Sequence, residues 1–190
     1  GSPLGVRGER KKTIALLPGS RKQEIKKMLS EMLAMVSYFT DYQFIIAGAP
    51  SIELGFYEGI IQDFFEGKSI PQNLEILQNQ THYLLKNSHA ALVTSGTATL
   101  ETALFEVPQV VCYKGNPASF WLAKRLVNVE YISLVNLIAE KEVVKELIQD
   151  DLNAQNLKSE FYIPFALNEL IQKKQIQLSV LSNAERWHGI

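Results

Sequence analysis

Cys112 is the single cysteine among 190 residues, so no disulfide can form within the chain and no cysteine-rich metal site can be built. Its setting, Val110-Val111-Cys112-Tyr113, is apolar, which marks a buried, inert thiol rather than a nucleophile or a ligand. An excess of one charge is lacking too. Lys and Arg number 19 against 20 Asp and Glu, a formal charge of −1, so no whole-molecule field draws the chain to nucleic acid and any basic site must be local. No apolar run approaches the roughly 18 residues that span a bilayer, and no signal-peptide pattern is present. The expectation is a cytoplasmic protein, with a peripheral membrane contact left open. Neither Gly-x-Gly-x-x-Gly nor a Gly-Lys-Ser/Thr loop occurs, which disfavours an ordinary NAD domain and a P-loop phosphotransferase. No Asp-x-Asp cluster exists, and the adjacent Asp150-Asp151 point apart; neither a divalent cation nor a cofactor is expected. His82 and His89 are seven residues apart, with the helix-ending Asn87-Ser88 between them, so a metal pair is not expected either.

What is present is a regular alternation of short β-branched runs and amphipathic stretches. The first strand starts at Thr13. Ile25, Met28, Leu29, Met32, Leu33, Val36 and Phe39 then recur at three- and four-residue spacing, which predicts a helix with one apolar face. Ser20 reads as its N-cap and Gln23 as the partner in a capping box. Strands are predicted over 42–47, 74–77, 90–93 and 109–113, and helices over 51–65, 82–87, 97–105 and 119–127. The stretch 141–151 reads as a charged amphipathic helix with a solvated face. Alternation of this kind argues for an α/β fold with a doubly wound, Rossmann-like parallel sheet, whose ligands bind beyond the carboxyl ends of the strands. With 46% hydrophobic residues, the chain can bury one solid core. The expected organisation is a flexible segment over 1–12, whose Gly1-Ser2 looks like a cloning remnant, one domain over 13–181, and a tail over 182–190.

Two strand-to-helix turns stand out. Leu17-Pro18-Gly19-Ser20-Arg21 and Val93-Thr94-Ser95-Gly96-Thr97 each pass from an apolar strand into a helix through Gly and hydroxyl residues. The first turn of a helix offers unpaired amides and the positive end of the helix dipole, and Gly lets an anion approach the backbone closely. Two such turns in one α/β chain point to a nucleotide. Arg21 adds a permanent forked cation at the first tip, and Glu101, one turn into the second helix, suits a sugar diol. A capped helix start with a solvated Arg21 is the competing reading of the first turn. The polar loop Gln78-Asn79-Gln80-Thr81 lies at the ligand edge of the sheet, either beside a base or as a solvated turn. Phe120-Trp121-Leu122-Ala123-Lys124-Arg125 reads as core or domain packing flanked by solvated cations, or as a seat at a lipid interface.

These turns, together with Glu24-Ile25, Ala98-Thr99-Leu100-Glu101, Pro108-Gln109-Val110-Val111-Cys112-Tyr113, the Phe120-to-Arg125 stretch and Tyr131-Ile132-Ser133-Leu134-Val135-Asn136-Leu137, resemble the carboxyl-terminal half of the lipid-A-disaccharide synthase family. The resemblance runs from about 13 to 149 and more loosely through 181–186. It implies one half of a two-Rossmann-domain (GT-B type), metal-independent, inverting glycosyltransferase. Such an enzyme transfers diacylglucosamine from UDP-diacylglucosamine to diacylglucosamine 1-phosphate (lipid X), releasing UDP, and touches the inner membrane peripherally. Carried onto this chain, Arg21 would stabilise the departing diphosphate as the catalytic cation. Gly19, Ser20, Ser95, Gly96 and Thr97 would supply amides, Glu101 would hold the ribose, and Asn136, in a loop after the last clear strand, would face the interdomain cleft. The resemblance implies that the amino-terminal domain of the family, with the acceptor site and the candidate general base, is expected to lie outside this sequence. The expectation is therefore that the chain binds UDP weakly and turns nothing over alone. A UDP-sugar epimerase domain and a non-catalytic nucleotide-binding module share the architecture. An epimerase needs acid and base groups at the sugar ring, and the two turns offer only Glu24 and Glu101, which favours transfer.

Overall fold

The computed structural model describes residues 11–115 and 130–162. Six strands, β1 (Lys12–Leu17), β2 (Tyr42–Gly48), β3 (Leu74–Gln78), β4 (Ala90–Thr94), β5 (Gln109–Tyr113) and β6 (Lys145–Ile148), form one sheet in the order β3-β2-β1-β4-β5-β6. Every pairing is parallel. The helices are α1 (Lys22–Leu33), α2 (Leu54–Phe65), α3 (Thr81–Lys86), α4 (Thr97–Leu104), α5 (Leu134–Ala139) and α6 (Ala154–Tyr162), with a 3₁₀ turn at Gln149–Asp151. The expected doubly wound α/β architecture is thus observed. The expected segment 1–12 (apart from Lys11 and Lys12), the helix over 119–127 with Phe120-to-Arg125, and the tail over 182–190 lie outside the described residues.

Side-chain alternation along the strands sends successive residues to opposite faces. Ile14, Leu16, Phe44, Ile46, Leu92 and Cys112 pack with Ile25, Met28, Leu29, Met32 and Leu33 of α1 and with Tyr57 and Ile61 of α2. The intervening Ala15, Leu17, Ala91 and Val93 meet Leu84 and Leu85 of α3, while Val111 meets Ala103 of α4 and Val135 of α5. Helices α1, α2 and α6 therefore cover one face and α3, α4 and α5 the other. Strands buried on both sides read as near-continuous apolar runs, which is why β4 is Ala-Ala-Leu-Val-Thr with every residue buried. Cys112 is 0% exposed; burial, seconded by the Glu31 charge, pushes its thiol well above its ordinary range.

Two local expectations are corrected. Residues 141–151 are not a helix: 145–148 form β6, which adds to the sheet beside β5 from Val110↔Lys145 to Tyr113↔Ile148. Val143, Val144 and Leu147 are buried, so the charged residues decorate an edge strand. The start of α1 also differs. Its N-cap is Arg21 with no side-chain cap bond, and Glu24 rather than Gln23 reaches back, accepting the Ser20 amide at 3.1 Å. The expected apolar face is otherwise present, although the helix ends at Leu33 and Val36 and Phe39 follow it.

Candidate functional site

Strand order reverses between β1 and β4, and both glycine turns leave the sheet there. In open α/β sheets the crevice at such a switch point is where ligands bind. A cleft of about 410 Å³ occupies it, lined by Gly19, Ser20, Arg21, Glu24, Ala49, Pro50, Thr81, Thr94, Ser95, Gly96, Thr97 and Glu101 among others. Seven of the eight expected site residues thus border one cavity.

The β1–α1 turn bends at Gly19, whose φ is +108°. A Cβ there would meet only the Glu24 carboxylate, the end of a flexible side chain that can swing aside, so it is the backbone conformation that requires glycine. The first bond of α1 runs from Ile25 N–H to Arg21 O at 2.9 Å. The amides of Lys22, Gln23 and Glu24 consequently have no intrahelical acceptor. Gly19→Ala is expected to raise the dissociation constant of any anion held here by about tenfold and to lower the urea midpoint, because alanine is strained at this φ and its methyl displaces the Glu24 carboxylate from the Ser20 amide. Titration and denaturation of the same variant check both effects.

Across the cleft, the first backbone bond of α4 is Thr99 N–H to Gly96 O at 3.1 Å. The amides of Gly96, Thr97 and Ala98 precede it and sit at the tip of the helix. Ser95 is different: its N–H donates to Cys112 O at 3.1 Å and its hydroxyl to Ile132 O at 3.1 Å. Ser95 therefore braces the turn, and the expectation that its amide meets a ligand is corrected. Ser20 is similarly engaged by Glu24. The third wall is the loop after β2, held by the Ala49 N–H donating to the buried Tyr57 phenol at 2.8 Å and by Gln78 Nε2 donating to Ile52 O at 3.1 Å. Gln78 thus has a structural task, while Thr81 from the same polar loop lines the cleft.

Glu101 stands at the cleft rim with its side chain 42% exposed, and His82 Nε2 lies 3.5 Å from its Oε2. The His82 ring also packs against Phe105, tilted by 41° with the ring centroids 5.5 Å apart. This juxtaposition was not visible in the sequence, since α3 and α4 are separate elements that begin on the same sheet edge.

Asn136 is corrected outright. It lies within α5, not in a loop, and is 0% exposed. Its Nδ2 donates to Val144 O and to Glu146 Oε1, both at 2.8 Å, and its Oδ1 accepts the Val143 and Val144 amides at 2.8 and 3.0 Å. All four hydrogen-bonding positions are occupied by the protein itself. Glu146 in turn accepts the Ile132 and Ser133 amides at 2.9 Å. The network carries the Ile132 carbonyl to which Ser95 is tied, so Asn136 supports the cleft from behind.

Among the described residues no group of three or more His, Cys, Asp or Glu is arranged to hold a metal ion, and no helix is long and apolar enough to cross a membrane.

The comparisons with known proteins accord with this geometry. The O-GlcNAc transferase of Thermobaculum terrenum superposes with a TM-score of 0.60 at 10% identity, covering 93% of this chain and 33% of that one. The C-terminal CMP-Kdo binding domain of WaaA from Acinetobacter baumannii gives 0.57 at 12% identity, covering 90% of each. At such identities these likenesses establish the fold. Sequence relatives are more specific. Lipid-A-disaccharide synthases from Coxiella burnetii and Pseudomonas putida are each 36% identical, over 80% and 76% of this chain. The chain spans about two fifths of the length of these curated relatives, 39% and 38%. The profile of the lipid-A-disaccharide synthetase family matches residues 6–186, and the chain belongs to that family.

Proposed function

We propose that this chain is the donor-binding half of a lipid-A-disaccharide synthase, holding the UDP of UDP-diacylglucosamine in the switch-point cleft. The observation that carries the reading is the convergence of two helix tips, α1 and α4, on one cavity with Arg21 at its mouth. The diphosphate is a doubly charged group that suits first-turn amides and a guanidinium together. Lys22 to Glu24 on one side and Gly96 to Ala98 on the other present those amides. Arg21 stabilises the charge that grows on the diphosphate as the glycosidic bond breaks, so its effect is largest as the leaving group departs. Glu101 accepts hydrogen bonds from the ribose hydroxyls at the rim. Lipid X, the acceptor, and the general base that deprotonates it belong to an amino-terminal domain of the synthase, outside the two fifths of the relatives' length that this chain matches. The complete enzyme works on the cytoplasmic face of the inner membrane through peripheral contact.

The test is reconstitution. The chain alone is expected to bind UDP by calorimetry and to form no disaccharide. Mixing it with a separately expressed amino-terminal half from a relative is expected to restore transfer from UDP-diacylglucosamine to lipid X. No heat with UDP, or turnover by the chain alone, would sink the proposal.

A further inference from the structure

Four hydroxyl-bearing side chains crowd the β4–α4 turn, and their situations differ. Ser95 Oγ donates to Ile132 O at 3.1 Å, and Thr99 Oγ1 donates to Gly96 O at 2.8 Å. Thr97 is exposed at the tip of α4. Thr94 is only 3% exposed, and its Oγ1 is buried without any hydrogen-bond partner among the described residues. Leaving a buried hydroxyl unpaired is destabilising, and a methyl group of the same shape would fit without that penalty. Gln43 Nε2 and Gln149 Nε2 are buried without a partner as well, but neither residue lines the switch-point cleft. Thr94 does.

Its position is specific. Thr94 is the last residue of β4, opposite Cys112 in β5. The two-residue alternation places it with Ala90 and Leu92 on the face covered by α1. It lines the switch-point cleft, and also a second cavity of about 490 Å³ bounded by Arg21, Lys27, Met28, Tyr113 and Lys114. Thr94, Arg21 and Glu24 are common to both. Thr94 therefore belongs to the wall that the two cavities share with Arg21 and Glu24, with its hydroxyl buried within that wall. Glu101, its side chain 42% exposed, lines the same cleft. Because Ser95 has committed both its amide and its hydroxyl, Thr94 is the buried polar group of this turn left to meet a ligand.

We propose that the Thr94 hydroxyl donates a hydrogen bond to a phosphoryl oxygen of the bound diphosphate, making Thr94 a binding residue of the nucleotide site. The assignment rests on the nucleotide reading given above. A hydroxyl bonding a charged oxygen in a water-poor recess forms one of the stronger hydrogen bonds available to a neutral side chain. Its desolvation is already complete before the ligand arrives, so none of that cost is charged against binding.

The test uses the full chain and three forms of residue 94. Thr94→Val is expected to weaken UDP binding about tenfold, and inorganic pyrophosphate by a similar factor, while its urea midpoint equals or exceeds that of the parent. Thr94→Ser, which keeps the hydroxyl, is expected to bind within about threefold of the parent. Unchanged UDP affinity in Thr94→Val overturns the assignment while leaving the nucleotide reading intact. A fall in both affinity and urea midpoint makes the hydroxyl structural and also overturns it. Weakening with UDP but not pyrophosphate removes the contact from the diphosphate. Failure of the parent chain to bind UDP takes down the nucleotide reading and this inference with it.

Discussion

Asn136→Ala is expected to lower the free energy of unfolding by about 3 kcal/mol, a large share of the ~5–15 kcal/mol that holds a domain together. The variant deprives the Val143 and Val144 amides, the Val144 carbonyl and the Glu146 carboxylate of their common partner. Groups left buried without a partner cost more than an average hydrogen bond contributes. Urea denaturation followed by far-ultraviolet circular dichroism reads the change. UDP affinity, measured in the absence of denaturant on the protein that remains folded, is expected to move little, because Asn136 lies behind the cleft wall. An unchanged urea midpoint combined with lost UDP affinity would return Asn136 to the ligand site.

Arg21→Ala is expected to do the reverse. Charge-assisted hydrogen bonds to a diphosphate contribute about 1.5–3 kcal/mol, so the UDP dissociation constant should rise roughly 10- to 100-fold. The urea midpoint should stay put, since Arg21 is exposed and makes no side-chain cap bond to α1. Salt supplies a second readout. Parent affinity should weaken with ionic strength more steeply than that of the variant, which has lost one cation facing the diphosphate. Arg21→Lys should fall between the two, keeping the charge while losing the planar fork. Equal affinity in parent and Arg21→Ala would remove Arg21 from the site and leave a solvated side chain at a helix start.

The contrast between these two residues shows where sequence reading reaches. The turns at Gly19 and Gly96 were legible because their signal is local: an apolar strand, a Gly with hydroxyls, then an amphipathic helix within a dozen residues. The parallel, doubly wound character of the sheet followed from the alternation of elements. Asn136 was misplaced because its partners lie seven to ten residues onward in a segment itself misread as helix. Charged residues in 141–151 mimic a solvated helical face, and a four-residue edge strand leaves too short a pattern to compete with it. The commitment of Ser95 to Cys112 and Ile132 depends on two further elements packing beside it, which no local pattern encodes. The exchange of Gln23 for Glu24 at the start of α1 is a one-residue shift in helix register, an ordinary uncertainty of helix ends.

The Glu24 carboxylate on the Ser20 amide has a consequence for selectivity. Before any nucleotide arrives, the Ser20 amide just ahead of the α1 tip already has a carboxylate from the first turn of the helix, tethered and therefore present at high effective concentration. A small free anion such as chloride gains too little from this one tip to dislodge it. On the nucleotide reading, a guest that engages the opposite helix and the guanidinium in the same event is expected to outcompete this carboxylate, whereas a weakly charged one is not.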